Sequence, residues 1–326
     1  MTPKIFVIAL LFVVSLNLTN LPGQDSGCTR RTVPVGVVDR EWNFAQGLSP
    51  ANFRAKLHGH DVEILSASID TSPRRIVLLL DASGSMMYPD GGGWKTERTI
   101  SEYLTRFAPP RASISFMGFT GMVLDTEGFD ENPQALLKNL SVLVRVCERP
   151  QKARRTALFD AIMSARDLLR APNLGDVICA LTDARDTVSR TEPKKLQEEL
   201  LRTGVRLFGV VIAAPWGRAR TPEEDSSQFD SLVRATGGSE LVLRLGGWSP
   251  TNPHIEAKTK EDSLDLALHR LLEQMGEFYR FELALPETVD KPTKWKLEVI
   301  DAGGKPMREV EVHYPQELMP CAKASP

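Results

Sequence analysis

The chain has 326 residues, 42% of them apolar and 25% charged, with a formal net charge of −2. That length supports one large domain or two smaller ones with ample core. The composition excludes a disordered or collagen-like chain, and the near-neutral charge shows no nucleic-acid footprint.

In chain order, Lys4 precedes the apolar run Ile5–Leu18, a positive flank and hydrophobic stretch of signal-peptide length. The run is short for a membrane span. Residues 1–23 are expected to be a signal peptide ending near Gly23, with an uncleaved anchor as the alternative. Export to the periplasm or beyond follows. TVPVGVV (32–38) reads as a strand, GLSPANF (47–53) as a turn with Pro50 at a tolerated helix start, and 62–69 as an alternating, half-buried strand. Residues 32–72 thus form an N-terminal β segment.

From residue 75 strands and helices alternate. Strands are expected at 75–80, 112–119 (with a short partner at 122–125), 176–182, 205–213 and 240–245. Helices are expected near 95–107, 132–144, 156–170, 192–203 and 226–236. This order predicts an α/β fold with a doubly wound, mostly parallel sheet. The 251–277 stretch reads as a linking segment with an amphipathic helix from 260. YRFELALP, KWKLEVID and REVEVHY follow as three alternating strands within 278–315. Each β segment alone has too few strands for a core, so the two are expected to pack together as an accessory β module.

The chemistry concentrates at strand ends. Ile76–Leu80 is an unbroken apolar run, as in a strand covered on both faces, and it stops on Asp81, Ser83 and Ser85. A buried carboxylate is costly unless paired or metal-bound. Three hard oxygen donors at alternate positions suit Mg²⁺ or Ca²⁺ better than zinc or copper. RRTALFDAI places Thr156 at a helix start, and CALTDARD places Asp183 just past another apolar strand. Taken singly, each of these residues reads equally well as a helix cap or turn former. Together, Asp81, Ser83, Ser85, Thr156 and Asp183 can converge on one sheet edge, where α/β folds bind ligands.

DASGS, TALFDAI and LTDARD, in that order, closely resemble the von Willebrand factor type A (VWA) domain with its metal-ion-dependent adhesion site, over about residues 74–250. On that resemblance Ser83, Ser85 and Thr156 match the family's hydroxyl ligands, and Asp81 and Asp183 its carboxylates. Arg155 stands where many relatives have glycine, and Ala184 replaces the glycine of a common TDG. Neither removes a ligand. The segment from Val33, carried by Gly47-Leu48, Phe53 and Gly59, and the closing FYRFELALP are similar to an exported bacterial VWFA-related group abundant in acidobacteria. The resemblance implies Mg²⁺ (or Mn²⁺ or Ca²⁺) as cofactor. It also implies a protein partner whose Asp or Glu completes the metal shell; the alternative is a scaffold or accessory subunit of an envelope or secretion complex.

No HExxH, GxSxG or P-loop occurs, and no histidine adjoins the three motifs, so an enzyme is not expected. Trp94, Trp216 and Trp248 follow strands that should end on the metal edge and are expected to rim it. Cys28 and Cys321 lie near the two ends of the mature chain, and an oxidising compartment would let them form a disulfide. Cys179, inside an apolar strand, is expected to be a buried small hydrophobe.

Overall fold

The computed structural model describes residues 26–87, 92–149, 155–213, 222–244 and 262–321. Trp216, Trp248 and the expected signal peptide lie outside them. A helical turn, α1 (Ser26–Thr29), leads into β1 (Arg30–Asp39), β2 (Phe53–Leu57) and β3 (His60–Ile69). The central region then runs β4 (Arg74–Asp81), α2 (Gly84–Met87), α3 (Gly92–Arg106), β5 (Ala112–Phe119), β6 (Val123–Asp130) and α4 (Pro133–Cys147). It continues through α5 (Leu158–Leu168), β7 (Val177–Thr182), α6 (Pro193–Thr203), β8 (Arg206–Ala213), α7 (Pro222–Ala235), β9 (Glu240–Arg244) and α8 (Asp262–Gly276). Four strands close the chain: β10 (Tyr279–Ala284), β11 (Thr293–Val299), β12 (Val310–His313) and β13 (Glu317–Leu318).

The central strands form a six-stranded sheet in the order β6-β5-β4-β7-β8-β9, parallel throughout except for the edge hairpin β5–β6. The apolar run of β4 explains itself here. Ile76, Leu78 and Leu80 face one layer containing Ile100 and Leu104 of α3, Leu140 of α4 and Leu271 of α8. Val77 and Leu79 face the other, with Leu158 and Ile162 of α5, Leu196 of α6 and Phe229 of α7. Each fully buried side chain of this kind stabilises the fold by about 1.5–3 kcal/mol relative to exposure. The fold is therefore the expected doubly wound α/β sheet. α8 differs from a mere link, since Ala267, Leu268, Leu271, Leu272 and Met275 all sit in the sheet's core. Local signals set several ends. Asn132 caps α4 by accepting from the Gln134 and Ala135 N–H groups at 2.9 and 3.1 Å, and Gly204 ends α6 with φ 69°.

The remaining strands form a curled antiparallel sheet, β12-β1-β10-β3-β2-β11-β13, drawn from both ends of the chain. Alternation fixes its inner face: Tyr279, Phe281 and Leu283 of β10 and Trp295, Leu297 and Val299 of β11 point inward. Phe53 of β2 meets Phe281 edge-on at 4.7 Å.

In this sheet β1 starts opposite the end of β10 (Arg30↔Ala284), and β13 ends opposite the start of β11 (Thr293↔Leu318). β10 and β11 run in opposite directions, separated by β3 and β2, so both junctions lie at one end of the module. Half-buried Cys28 and Cys321 lie just beyond them, whereas Cys147 and Cys179 are fully buried in the α/β unit. Burial pushes the Cys179 thiol up to about 12. Oxidised protein is expected to give a linked Cys28–Cys321 peptide in non-reducing peptide mapping. A linked Cys28–Cys147 peptide instead would refute the pairing.

Candidate metal centre

β4 delivers Asp81 to the carboxyl edge of the parallel sheet, and the chain turns at once, with the Ala82 N–H donating to the Phe119 carbonyl at 2.8 Å. Asp81 is fully buried. Its Oδ1 accepts the Ser83 N–H at 2.9 Å and its Oδ2 accepts the Thr182 hydroxyl at 2.6 Å. These bonds fix the carboxylate while leaving each oxygen a lone pair. The Ser83 and Ser85 hydroxyls lie 3.0 Å apart at the start of α2.

Thr156 lies one residue before the Ala157 N-cap of α5 and is 3% exposed. Its carbonyl accepts the N–H groups of Thr187 and Val188 at 2.9 and 3.2 Å, and its own N–H donates to Thr187 Oγ1 at 3.0 Å. On its other side, the Ala157 N–H donates to the Thr120 carbonyl at 2.8 Å. The β5–β6 hairpin and the loop after β7 thus grip this residue between them. Asp183 follows β7 with its side chain 6% exposed; its Oδ1 accepts the Arg185 N–H at 3.2 Å, and Arg185 Nε lies 4.0 Å from Oδ2.

One further group completes the centre. Glu97 of α3 is fully buried, and its Oε1 accepts the Asp81 N–H at 2.6 Å. Its Oε2 has no hydrogen-bond partner among the described residues. Burial, with the Asp183 charge beside it, pushes Asp81 up to about 7. Burial and the Asp81 charge hold Glu97 well above the usual carboxylate range. Three acids are thus gathered in a low-dielectric pocket, where a hard divalent cation would offset their repulsion. Among the described residues no group of three or more His, Cys, Asp or Glu is placed to hold a metal. A site here therefore needs the hydroxyls of Ser83, Ser85 and Thr156 as well as the acids. That donor set fits Mg²⁺ or Mn²⁺ and not a nitrogen- or sulfur-ligated metal.

Several residues inside or beside the motifs act through contacts that the motifs do not state. Thr182 holds Asp81 from the next strand. Asp186 accepts the Phe159 N–H at 3.1 Å, the Ser189 N–H at 3.0 Å and the Ser189 hydroxyl. Asp160 accepts the N–H groups of Arg190 and Thr191. Together they pin the loop after β7 onto the first turn of α5. Glu97 carries the one signal that could be read beforehand: it shares the buried helical face of Trp94, Ser101 and Leu104. Ala184 has φ 63°, a left-handed backbone that disfavours any residue with a Cβ. That strain sits directly beside Asp183.

The tryptophan rim is corrected at one position. Trp94 lies on α3 and is 3% exposed, packed in the core with its indole N–H donating to Glu148 Oε1 at 3.1 Å. It presents no face to the metal edge.

No family model matches the chain, and no curated protein matches it. Among solved structures it is similar to the conserved hypothetical protein BatB from Bacteroides thetaiotaomicron (TM-score 0.43, 12% identity, 62% of this chain and 98% of that one). It is also similar to an aerotolerance-related membrane protein from Bacteroides fragilis (0.40, 13%, 52% and 91%) and to a von Willebrand factor type A protein from Catenulispora acidiphila (0.43, 12%, 91% and 74%). Similarity at this level assigns no activity.

Proposed function

We propose that the chain is an exported, envelope-associated VWA protein that binds a protein partner through a divalent cation, Mg²⁺ in the first place. The reading is carried by one observation: buried Asp81, Asp183 and Glu97 are gathered beside the paired Ser83 and Ser85 hydroxyls at the sheet's carboxyl edge. In this reading Ser83, Ser85 and Thr156 contribute hydroxyl oxygens, and Asp81 and Asp183 balance the charge directly or through water. The bound cation would supply a Lewis-acidic position for a carboxylate oxygen of the partner. Both Asp81 oxygens accept hydrogen bonds, which supports a carboxylate held in place to serve a cation's shell. Among the described residues no helix is long and apolar enough to cross a membrane.

Calorimetric titration of the full chain with Mg²⁺ at pH 8 is expected to show a single site. Metal binding requires Asp81 ionised, and burial together with the Asp183 charge raises its carboxyl to about 7. Below that pH the apparent affinity should fall by about tenfold per unit as protons compete with metal. Absence of binding at pH 8, or an affinity indifferent to pH between 5 and 8, would overturn the assignment.

A further inference from the structure

The surface beside Thr156 has a composition that the metal site does not explain. Met122, at the turn between β5 and β6, is 68% exposed. The turn is held in place, with the Thr120 N–H donating to the Met122 carbonyl at 2.8 Å while the Thr120 carbonyl accepts from Ala157. A methyl group placed on Gly121 would lie 3.5 Å from Cβ of Arg155 and 3.7 Å from Cγ2 of Val188. The hairpin turn that carries Met122, Arg155 at the approach to α5 and Val188 in the loop after β7 therefore come together at Gly121. Arg155, next in the chain to Thr156, is exposed and makes no ion pair with any described residue. An arginine without an ion pair and an apolar side chain held in water, on segments that pack together at a binding edge, are features of an interface rather than of a resting surface.

We propose that Met122, Arg155 and Val188 read the residues next to the partner's metal-bound carboxylate, and that the partner is an acidic protein segment. That segment carries a second carboxylate within a few residues of the first, for Arg155, and an apolar side chain, for Met122 and Val188. This rests on the metal-site reading, which supplies the fixed point from which neighbouring positions are measured. The charge pair sits on the rim and is partly solvated, so its share is specificity more than affinity. The apolar contact excludes water from one side of the metal-bound carboxylate.

The test is a display library of nine-residue peptides with one fixed central Asp and random flanks. It is captured on the full-length protein in Mg²⁺ and eluted with EDTA. Wild type should enrich a second acidic residue and an apolar residue at defined offsets from the central Asp. Arg155→Glu, which alters an exposed side chain and should retain Mg²⁺ binding by calorimetry, should exchange the acidic preference for a basic one. The expected change is about fivefold in relative enrichment, the size of one rim ion pair. Met122→Ser should erase the apolar preference and leave the acidic one. EDTA-eluted peptides with no preference at flanking positions, or the same preference in wild type and Arg155→Glu, would overturn the proposal and leave the metal site standing. No EDTA-dependent enrichment at all, with Mg²⁺ bound, would remove the metal-bridged reading and this proposal with it.

Discussion

Asp81→Asn is expected to abolish the Mg²⁺ response and, in the absence of metal, to make the chain more stable than wild type at pH 8. The wild-type carboxyl is raised from 3.8 to about 7, first by burial and then by the Asp183 charge. A carboxyl whose proton is held more tightly folded than unfolded costs stability as pH rises past its unfolded value, and the cost is complete above its folded value. Metal-free wild type should therefore weaken between about pH 4 and pH 7, by roughly 2–4 kcal/mol. Asparagine keeps the shape, can still accept the Ser83 N–H, and carries no charge to bury. Denaturant unfolding in EDTA at pH 5 and pH 8 checks the first half. Mg²⁺ should then raise the wild-type midpoint at pH 8 and leave the variant's unmoved. A variant weaker than wild type at pH 8 in EDTA would mean that Asp81 is stabilised by its hydrogen bonds alone. Equal stabilisation of both proteins by Mg²⁺ would place the metal elsewhere. A group that destabilises the empty fold is hard to explain structurally and easy to explain as a ligand.

The same residue shows how far the sequence can be read. β4 declares itself because burial on two faces demands an unbroken apolar run, and Asp81 stands out because the run ends on a charge. The edge strand β6 does not declare itself. Its VLDTEGFD is half-exposed along its whole length, so only residues 122–125 read as strand while the structure extends it to Asp130. Glu97 was hidden by type: a glutamate in an amphipathic helix is taken for the solvated face, and only the face it shares with Trp94 and Leu104 shows otherwise. Trp94 misled in the opposite direction, because an aromatic after a glycine-rich loop reads as exposed although the helix turns it inward. Thr182 and Asp186 act across strands and loops distant in sequence. A single chain gives no sign of such pairings until the sheet register brings them together.

Arg206 should be among the costliest single side chains to remove, and the reason lies in how the two sheets are joined. The chain passes between them twice, at 70–73 and at 277–278. Two buried arginines occupy the crossing. Arg206, 1% exposed, donates from its two terminal nitrogens to the carbonyls of Gln274 and Met275 at 2.8 and 2.6 Å, satisfying the last turn of α8. Arg74 donates to the Gly276 carbonyl at 3.3 Å and pairs with Asp70 at 3.0 Å. The Phe278 ring lies between them, 4.4 Å from Arg74 Cζ and 4.7 Å from Arg206 Cζ. It fits because Gly175, at φ 82°, has no side chain: a Cβ there would sit 2.1 Å from the ring. The Asp70 N–H donates to the Phe278 carbonyl at 3.0 Å, so both crossings are tied to each other. Arg206→Ala would orphan two carbonyls at a helix end where the field favours a cation, and would open space beside Phe278. A loss of about 3–5 kcal/mol is expected. Arg206→Lys should recover only part of it, since one ammonium cannot fork to two carbonyls. Scanning calorimetry separates this from a local defect. Wild type should unfold in one transition and Arg206→Ala in two, the β module parting from the α/β unit, with Mg²⁺ still raising the midpoint of the latter. A single transition shifted by less than about 1 kcal/mol would show that the sheets are held together by their other contacts, and that the paired arginines only fill the crossing.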